Sequence, residues 1–256
     1  TRMATLPDGV VVVAFDDISE LKSAERRAAW ADVARRVAHE IKNPLTPIQL
    51  SAERLKTKFA KKMGDEAEQY MKYVETITRH AEDIGEMVES FVDYARMPQP
   101  IFEEVSAQKM VNASAFTLKI AHPDVNVSVH APDKPIILKA DEGQLTRAFD
   151  NILKNAAEAL EELVGDKKID ITIKAENEAI HVVITDNGSG FTKELLQKAT
   201  EPYITTKDKG TGLGLAIVKK ILIDHEAVLH LRNRLDENGE DILGAEIDIQ
   251  FVGGTH

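Results

Sequence analysis

Cysteine is absent from these 256 residues, which removes disulfides, thiolate nucleophiles and cysteine-ligated metal centres. A reducing cytoplasm fits that absence. Long apolar runs are missing too: the longest, Val10 to Phe15, is far below the ~20 residues that span a bilayer, and no signal peptide opens the sequence. Positive charge is in deficit, with 32 Lys and Arg against 43 Asp and Glu and a formal net charge of −11. Such a surface repels nucleic acid and anionic membranes, so neither is expected as a direct partner. No internal repeat or low-complexity tract is present, and no initiator methionine precedes Thr1, as in a piece cut from a longer protein.

What the chain does have is the run Ala38-His39-Glu40-Ile41-Lys42-Asn43-Pro44-Leu45-Thr46. Around it Trp30, Val33, Val37, Ile41, Leu45, Ile48, Ala52, Leu55 and Phe59 recur at gaps of three and four, which predicts one buried stripe on a long helix from about Leu21 to Ala60. His39 lies two residues from both Val37 and Ile41, about 200° round the helix at ~100° per residue, and so points away from the stripe. Asn43 follows one turn later on the same face and Glu40 is the sequence neighbour, so a base and an amide flank the imidazole. That arrangement suits a phosphate acceptor, although a lone helical histidine is more often just a solvated side chain. Pro44 and Pro47 interrupt the helical hydrogen bonding, yet the stripe continues in phase to Phe59, which predicts a weakened or kinked helix that does not end there.

A turn at Gly64-Asp65 leads to a second helix, in which Tyr70, Val74, Ile77, Ala81, Ile84, Val88, Phe91 and Ala95 form a heptad seam. Two helices joined by a short turn cannot bury both stripes alone, so an antiparallel hairpin that dimerises into a four-helix bundle is expected. Met97-Pro98-Gln99-Pro100 ends the second helix and stiffens the link onward. Ahead of the first helix, Gly9 to Ile18 reads as a strand running into a helix near Ser19.

Beyond Ile101 the pattern mixes helices and strands. Helices are expected near 106–120, 141–163 and 212–224, with strands near 125–130, 135–139, 169–175, 180–186, 228–232 and 246–251, an α/β sandwich by pattern. Three blocks here have the chemistry of a nucleotide site. Asn151 and Asn155 are one turn apart on one helix face and offer neutral oxygens of the kind magnesium shares with phosphates. Asp186 ends a β-branched strand just before Gly188 and Gly190, where a carboxylate can accept the adenine amino hydrogen and glycines allow close backbone approach. Gly210, Gly212 and Gly214 precede a helix whose free N–H groups can receive phosphates. Each block alone is weak; two solvated amides, an Asp-Asn-Gly turn and a glycine cluster are all common.

Together, in this order, the four blocks resemble the H, N, G1 and G2 boxes of sensor histidine kinases. Glu201-Pro202-Tyr203-Ile204-Thr205-Thr206-Lys207 resembles the family's F box, with Tyr203 and Ile204 in place of its two phenylalanines. The His39 run is similar to that of the NtrY-like nitrogen-regulation group. The resemblance implies a helical hairpin at 21–97, a GHKL ATP-binding domain at 98–256, and at 1–20 the end of a PAS sensor domain. It implies ATP and Mg2+ as cofactors, Asn155 as magnesium ligand with Asn151 in support, and Asp186 as the adenine-reading residue. Gly188, Gly190, Gly210, Gly212, Leu213 and Gly214 would complete the nucleotide site, with Lys207 on a phosphate. His39 would be the phosphoacceptor, Glu40 the base, and Asn43 the residue that helps dephosphorylate the partner, a response regulator. Members of the group are membrane-anchored, so this chain would be a cytoplasmic core whose anchor lies upstream. A GHKL ATPase of the chaperone or topoisomerase kind shares the ATP fold but not His39 in its motif; a degenerate kinase serving as a dimeric scaffold is the other alternative.

Overall fold

The computed structural model describes residues 2–5, 11–14, 19–59, 64–176, 179–202, 204, 211–236 and 238–252. Contacts divide the chain into two compact units, Thr1–Met97 and Pro98–His256.

In the first unit, β1 (Arg2–Thr5) and β2 (Val11–Ala14) pair antiparallel. The long helix α1 (Ser19–Phe59) is followed by a 3-10 turn at Gly64–Glu66 and by α2 (Ala67–Ala95). Gly64 holds φ at +54°, a left-handed conformation that glycine adopts without the usual Cβ penalty. Lys42 pairs with Glu89 at 2.6 Å and Lys56 with Glu75 at 3.7 Å, so the partner on α2 retreats as α1 advances. The hairpin is antiparallel. Pro44 and Pro47 both lie inside α1, which does not end at either.

The buried stripe differs from the one the periodicity predicts. On α1 the hairpin buries Ala34, Ala38, Leu45 and Ala52, while Val33 and Ile48 remain 50% and 47% exposed. On α2 it buries Val74, Ala81, Val88 and Ala95, a strict seven-residue repeat, and leaves Ile77 and Ile84 at 45% and 44%. The cause is geometric: one helix can cover only a narrow seam of another, so half of each apolar band stays open. The Trp30 side chain lies outside the described residues.

The second unit is a two-layer sandwich. A five-stranded sheet runs in the order β4-β6-β7-β9-β8, built from β4 (Val125–His130), β6 (Lys167–Glu176), β7 (Ala179–Asp186), β8 (Ala227–Leu235) and β9 (Ile242–Val252). Only the β4–β6 pair is parallel. Alternation puts Ile169, Ile171, Val182, Ile184, Ile247 and Ile249 on the covered face. Against it pack α3 (Ala107–Ala121), α4 (Glu142–Ala159) and α6 (Gly214–Asp224) through Met110, Phe149, Ile152, Leu153, Ile217 and Ile221. Two elements of this unit have no counterpart in the sequence pattern. These are β3 (Glu103–Ser106), which pairs antiparallel with β5 (Ile137–Ala140), and the short helix α5 (Lys193–Lys198).

Asp141 caps α4, its Oδ1 accepting the Gln144 N–H at 2.9 Å while Oδ2 accepts that of Ile101 at 2.9 Å. Burial pushes this carboxyl up, but the hydrogen bonds from the Ile101 and Gln144 N–H groups outweigh it and hold Asp141 below the ordinary carboxylate value.

Candidate phosphoacceptor helix and nucleotide site

His39, Glu40 and Asn43 are all exposed on α1, the first and last one turn apart. Ala38, next to His39, belongs to the buried seam, which fixes the histidine on the outer side. Glu40 makes only a loose, exposed pair with Arg36 at 3.8 Å, of little energetic weight, and this leaves its orientation adaptable. Lys42 is held by Glu89 across the hairpin, so the helix turn that carries His39 and Asn43 is tied to α2.

In the second unit the three blocks meet along one line of α4. Asn151, Asn155 and Ala159 are spaced by one turn each. A β-carbon built on Gly214, the first residue of α6, would stand 3.3 Å from Asn151 Oδ1 and 3.7 Å from Asn155 Nδ2, so the start of α6 sits directly on the two amides. One turn further, a β-carbon on Gly188 would stand 2.8 Å from the Ala159 carbonyl. Both glycines are therefore spacers that let backbone reach α4. Asn151 turns its Nδ2 back to the Arg147 carbonyl at 2.8 Å, which leaves its oxygen toward α6.

At the other edge of the site, Asp186 is 5% exposed at the end of β7. Its Oδ1 accepts the N–H of Gly188 at 2.9 Å and of Ala245 at 3.1 Å, which fixes the carboxylate plane. Gly190 has φ +68°, and Gly212, just before α6, has φ +65°. Leu213 is fully buried, so only its backbone can face a ligand. The Leu213 side chain makes no capping hydrogen bond to α6, and the Leu213 N–H donates to Thr211 Oγ1 at 3.3 Å. The helix N-terminus there presents N–H groups and the positive end of the dipole. Lys207 and Gly210 lie outside the described residues.

Sequence reasoning missed the supports. Asn187, inside the G1 block, is structural: its Nδ2 donates to the Asp166 carbonyl at 2.7 Å and its Oδ1 accepts the Lys168 N–H at 2.8 Å. Arg234 donates to the Asp186 carbonyl at 3.3 Å, and a β-carbon on Gly244 would collide with that same carbonyl.

Two family models match the chain: the "His Kinase A (phospho-acceptor) domain" over residues 29–100, and the "Histidine kinase-, DNA gyrase B-, and HSP90-like ATPase" over residues 140–251. The chain belongs to the histidine kinases. It is 43% identical over 232 residues to the nitrogen regulation protein NtrY of Azorhizobium caulinodans, a match covering 89% of this chain and 30% of that protein. With an NtrY-like sensor histidine kinase of Rickettsia prowazekii it shares 41% over 234 residues, 91% of this chain and 37% of the relative. The chain thus spans about a third of the length of the curated relatives it matches. Among solved structures, the histidine kinase ThkA in complex with the response regulator TrrA matches with TM-score 0.63 and 23% identity, covering 98% of this chain and 74% of that one. That likeness is one of fold. Among histidine kinases this chain is of the NtrY-like group, with a helical hairpin followed by a GHKL-type α/β unit that binds ATP.

Proposed function

We propose that the chain is the kinase core of a two-component sensor, which phosphorylates itself on His39 from ATP and passes the phosphoryl group to an aspartate of a response regulator. The observation that carries this reading is the convergence of Asn151, Asn155, Asp186, Gly188 and Gly214 around α4 in one unit, with His39 exposed in another. A histidine lone pair attacks the γ-phosphorus, the bond to the ADP oxygen breaks, and the ring proton passes to Glu40.

Asp186 would accept the adenine amino hydrogen, and the α6 N-terminus with Gly212 and Gly214 would receive phosphates, with Lys207 and Gly210 contributing from the intervening segment. Asn155, supported by Asn151, fits magnesium: the ion takes few protein ligands, favours neutral or anionic oxygens and keeps the rest of its shell for water and phosphate. Bound there, it would neutralise charge on the phosphates. Among the described residues no cluster of His, Asp and Glu could hold a metal by itself, which suits an ion brought by its nucleotide.

The open apolar flanks of α1 and α2 support a homodimeric four-helix bundle at 21–97, ahead of a catalytic domain at 98–256. Residues 1–20 would be the end of an upstream sensor domain. No helix among the described residues is long and apolar enough to cross a membrane. The likeness to NtrY-like sensor kinases supports a cytoplasmic portion of a membrane-anchored sensor as the location. Incubation of the chain with radiolabelled ATP tests the whole reading. Label that is lost in acid, kept in base and absent from His39→Ala supports it; acid-stable label, or label retained by His39→Ala, overturns it.

A further inference from the structure

Resting on the nucleotide-site reading above, we propose that Asn233 on β8 is a positioning residue, which clamps the Gly190–Phe191 end of the nucleotide loop and so sets nucleotide affinity without touching the reacting atoms. On β8 the residues Ala227, Leu229 and Leu231 face the core opposite Phe251, Ile249 and Ile247, and Asn233 falls in the same phase, opposite Ala245. A polar amide in an apolar row is costly unless both its ends are satisfied. Here they are satisfied by a single residue. Phe191 N–H donates to Asn233 Oδ1 at 2.7 Å, and Asn233 Nδ2 donates to the Phe191 carbonyl at 2.8 Å. The side chain acts as a one-residue strand neighbour, and because donor meets acceptor at both ends the amide has one orientation.

The loop is shaped to this contact. Gly190 has φ +68°, and a β-carbon there would stand 2.8 Å from Asn233 Oδ1 and 2.6 Å from Ile242 Cγ2. A register shift in the β8–β9 pair between Arg234 and Leu235 turns the end of β8 toward the loop. The same end holds the loop's beginning, where Arg234 and Ala245 bond Asp186. Immediately after Phe191, Thr192 caps α5, its Oγ1 accepting the Leu195 N–H at 3.1 Å. Asn233 therefore marks where the fixed loop stops and the segment leading to Lys207 begins. A stretch with glycines at 188 and 190 has wide backbone freedom, and holding it in place beforehand lowers the ordering cost of binding. The effect belongs in affinity and not in the chemical step.

The test uses the whole chain, with Mg-ADP binding by calorimetry and autophosphorylation over a range of ATP concentrations. Asn233→Ala is expected to raise the ATP concentration for half-maximal rate about tenfold, equivalent to about 1.4 kcal/mol, while the rate at saturation stays within about twofold. Asn233→Asp keeps size and one acceptor but sets an oxygen against the Phe191 carbonyl, so it should bind Mg-ADP no better than the alanine variant. Unchanged affinity in Asn233→Ala, wild-type affinity in Asn233→Asp, or a fall in saturating rate at constant half-saturation overturns the proposal. So does loss of the far-ultraviolet circular dichroism of the fold in both variants, which would make Asn233 a folding residue only. If the wild-type chain binds no Mg-ADP, it is the nucleotide-site reading that fails; if it binds and the variants match it, the clamp alone fails.

Discussion

His225 Nε2 accepts the backbone N–H of Asp141 at 3.0 Å. Since that nitrogen is an acceptor, the ring proton sits on Nδ1, which faces the Ile221 carbonyl at 2.8 Å. The imidazole is thus a neutral bridge from the last turn of α6 to the residue that caps α4. Phe102 packs on the same ring with centroids 5.2 Å apart, and Gln144 Nε2 reaches the Pro98 carbonyl at 3.0 Å. Residues 98–102 are by these bonds fastened to the helix that bears Asn151 and Asn155.

Asp141 makes this junction sensitive to acid. Its carboxyl is held below the ordinary value in the folded chain, so its contribution is full above the unfolded value of ~3.9 and is lost as pH falls through the folded one. Asp141→Asn should cost about 1 to 2 kcal/mol at neutral pH, because the amide cannot accept at both oxygens. Urea unfolding near pH 7 and again below about pH 3 checks it: the gap between wild type and variant should narrow in acid.

Removing the proposed metal ligand should separate metal from base recognition. Asn155→Ala is expected to weaken Mg-ATP binding about tenfold or more while changing magnesium-free nucleotide binding by less than about twofold. Calorimetry with and without a chelator decides; equal losses in both would mean a distorted α4 instead of a lost ligand.

The open flank of the hairpin gives a test of the dimer. Ile84 is half-exposed within one chain, so Ile84→Asp leaves the α1–α2 seam intact but would bury an unpaired charge if a second copy covers it, at several kcal/mol as an order of magnitude. Light scattering at micromolar concentration should show the wild type as a dimer and the variant as a folded monomer.

Glu226 carries φ +54° just beyond His225, the C-cap of α6, and is the one non-glycine residue with positive φ among the described residues. That position usually belongs to glycine. Glu226→Gly should stabilise the second unit by about 0.5 to 1 kcal/mol, the relief of strain exceeding the added chain entropy, and raise the melting temperature by about 2 °C in a calorimetric scan.

Asn43 should matter for dephosphorylating the regulator more than for receiving phosphate, since its amide, one turn past His39, can orient a water while Glu40 serves the kinase step. Asn43→Ala is expected to retain most autophosphorylation and lose most phosphatase activity. Timing the decay of purified phosphorylated regulator with either kinase form and ADP measures this.

The long elements were legible because their signal is local and repeated. The pattern from Leu21 to Ala60 corresponds to a helix at Ser19–Phe59, and the expected strand at 180–186 to one at Ala179–Asp186. Missed β3 reads Glu-Glu-Val-Ser with only Val105 buried, and it exists because β5, more than thirty residues on, pairs with it. On α1 periodicity marked the apolar band, but not which half of it a single partner helix covers; Ala34 and Ala38 are too small to stand out in a pattern yet allow the closest approach. At the nucleotide site the glycines and carboxylate were readable as motif chemistry. Asn233 was not, because a single polar residue in an alternating strand is a signal only once the strand's inward phase is known.

The two prolines inside α1 have a consequence for how another protein reads this surface. Neither Pro44 nor Pro47 has an N–H, so the carbonyls of Glu40 and Asn43 lose their ordinary helical donors. Elsewhere on a helix the main chain is chemically silent, its polar groups spent on one another. Here two backbone acceptors lie within a turn of His39, and they persist whatever side chains surround them. A docking surface that donates to those oxygens could find the histidine by main-chain grammar alone, leaving the neighbouring side chains at liberty to encode which partner is admitted.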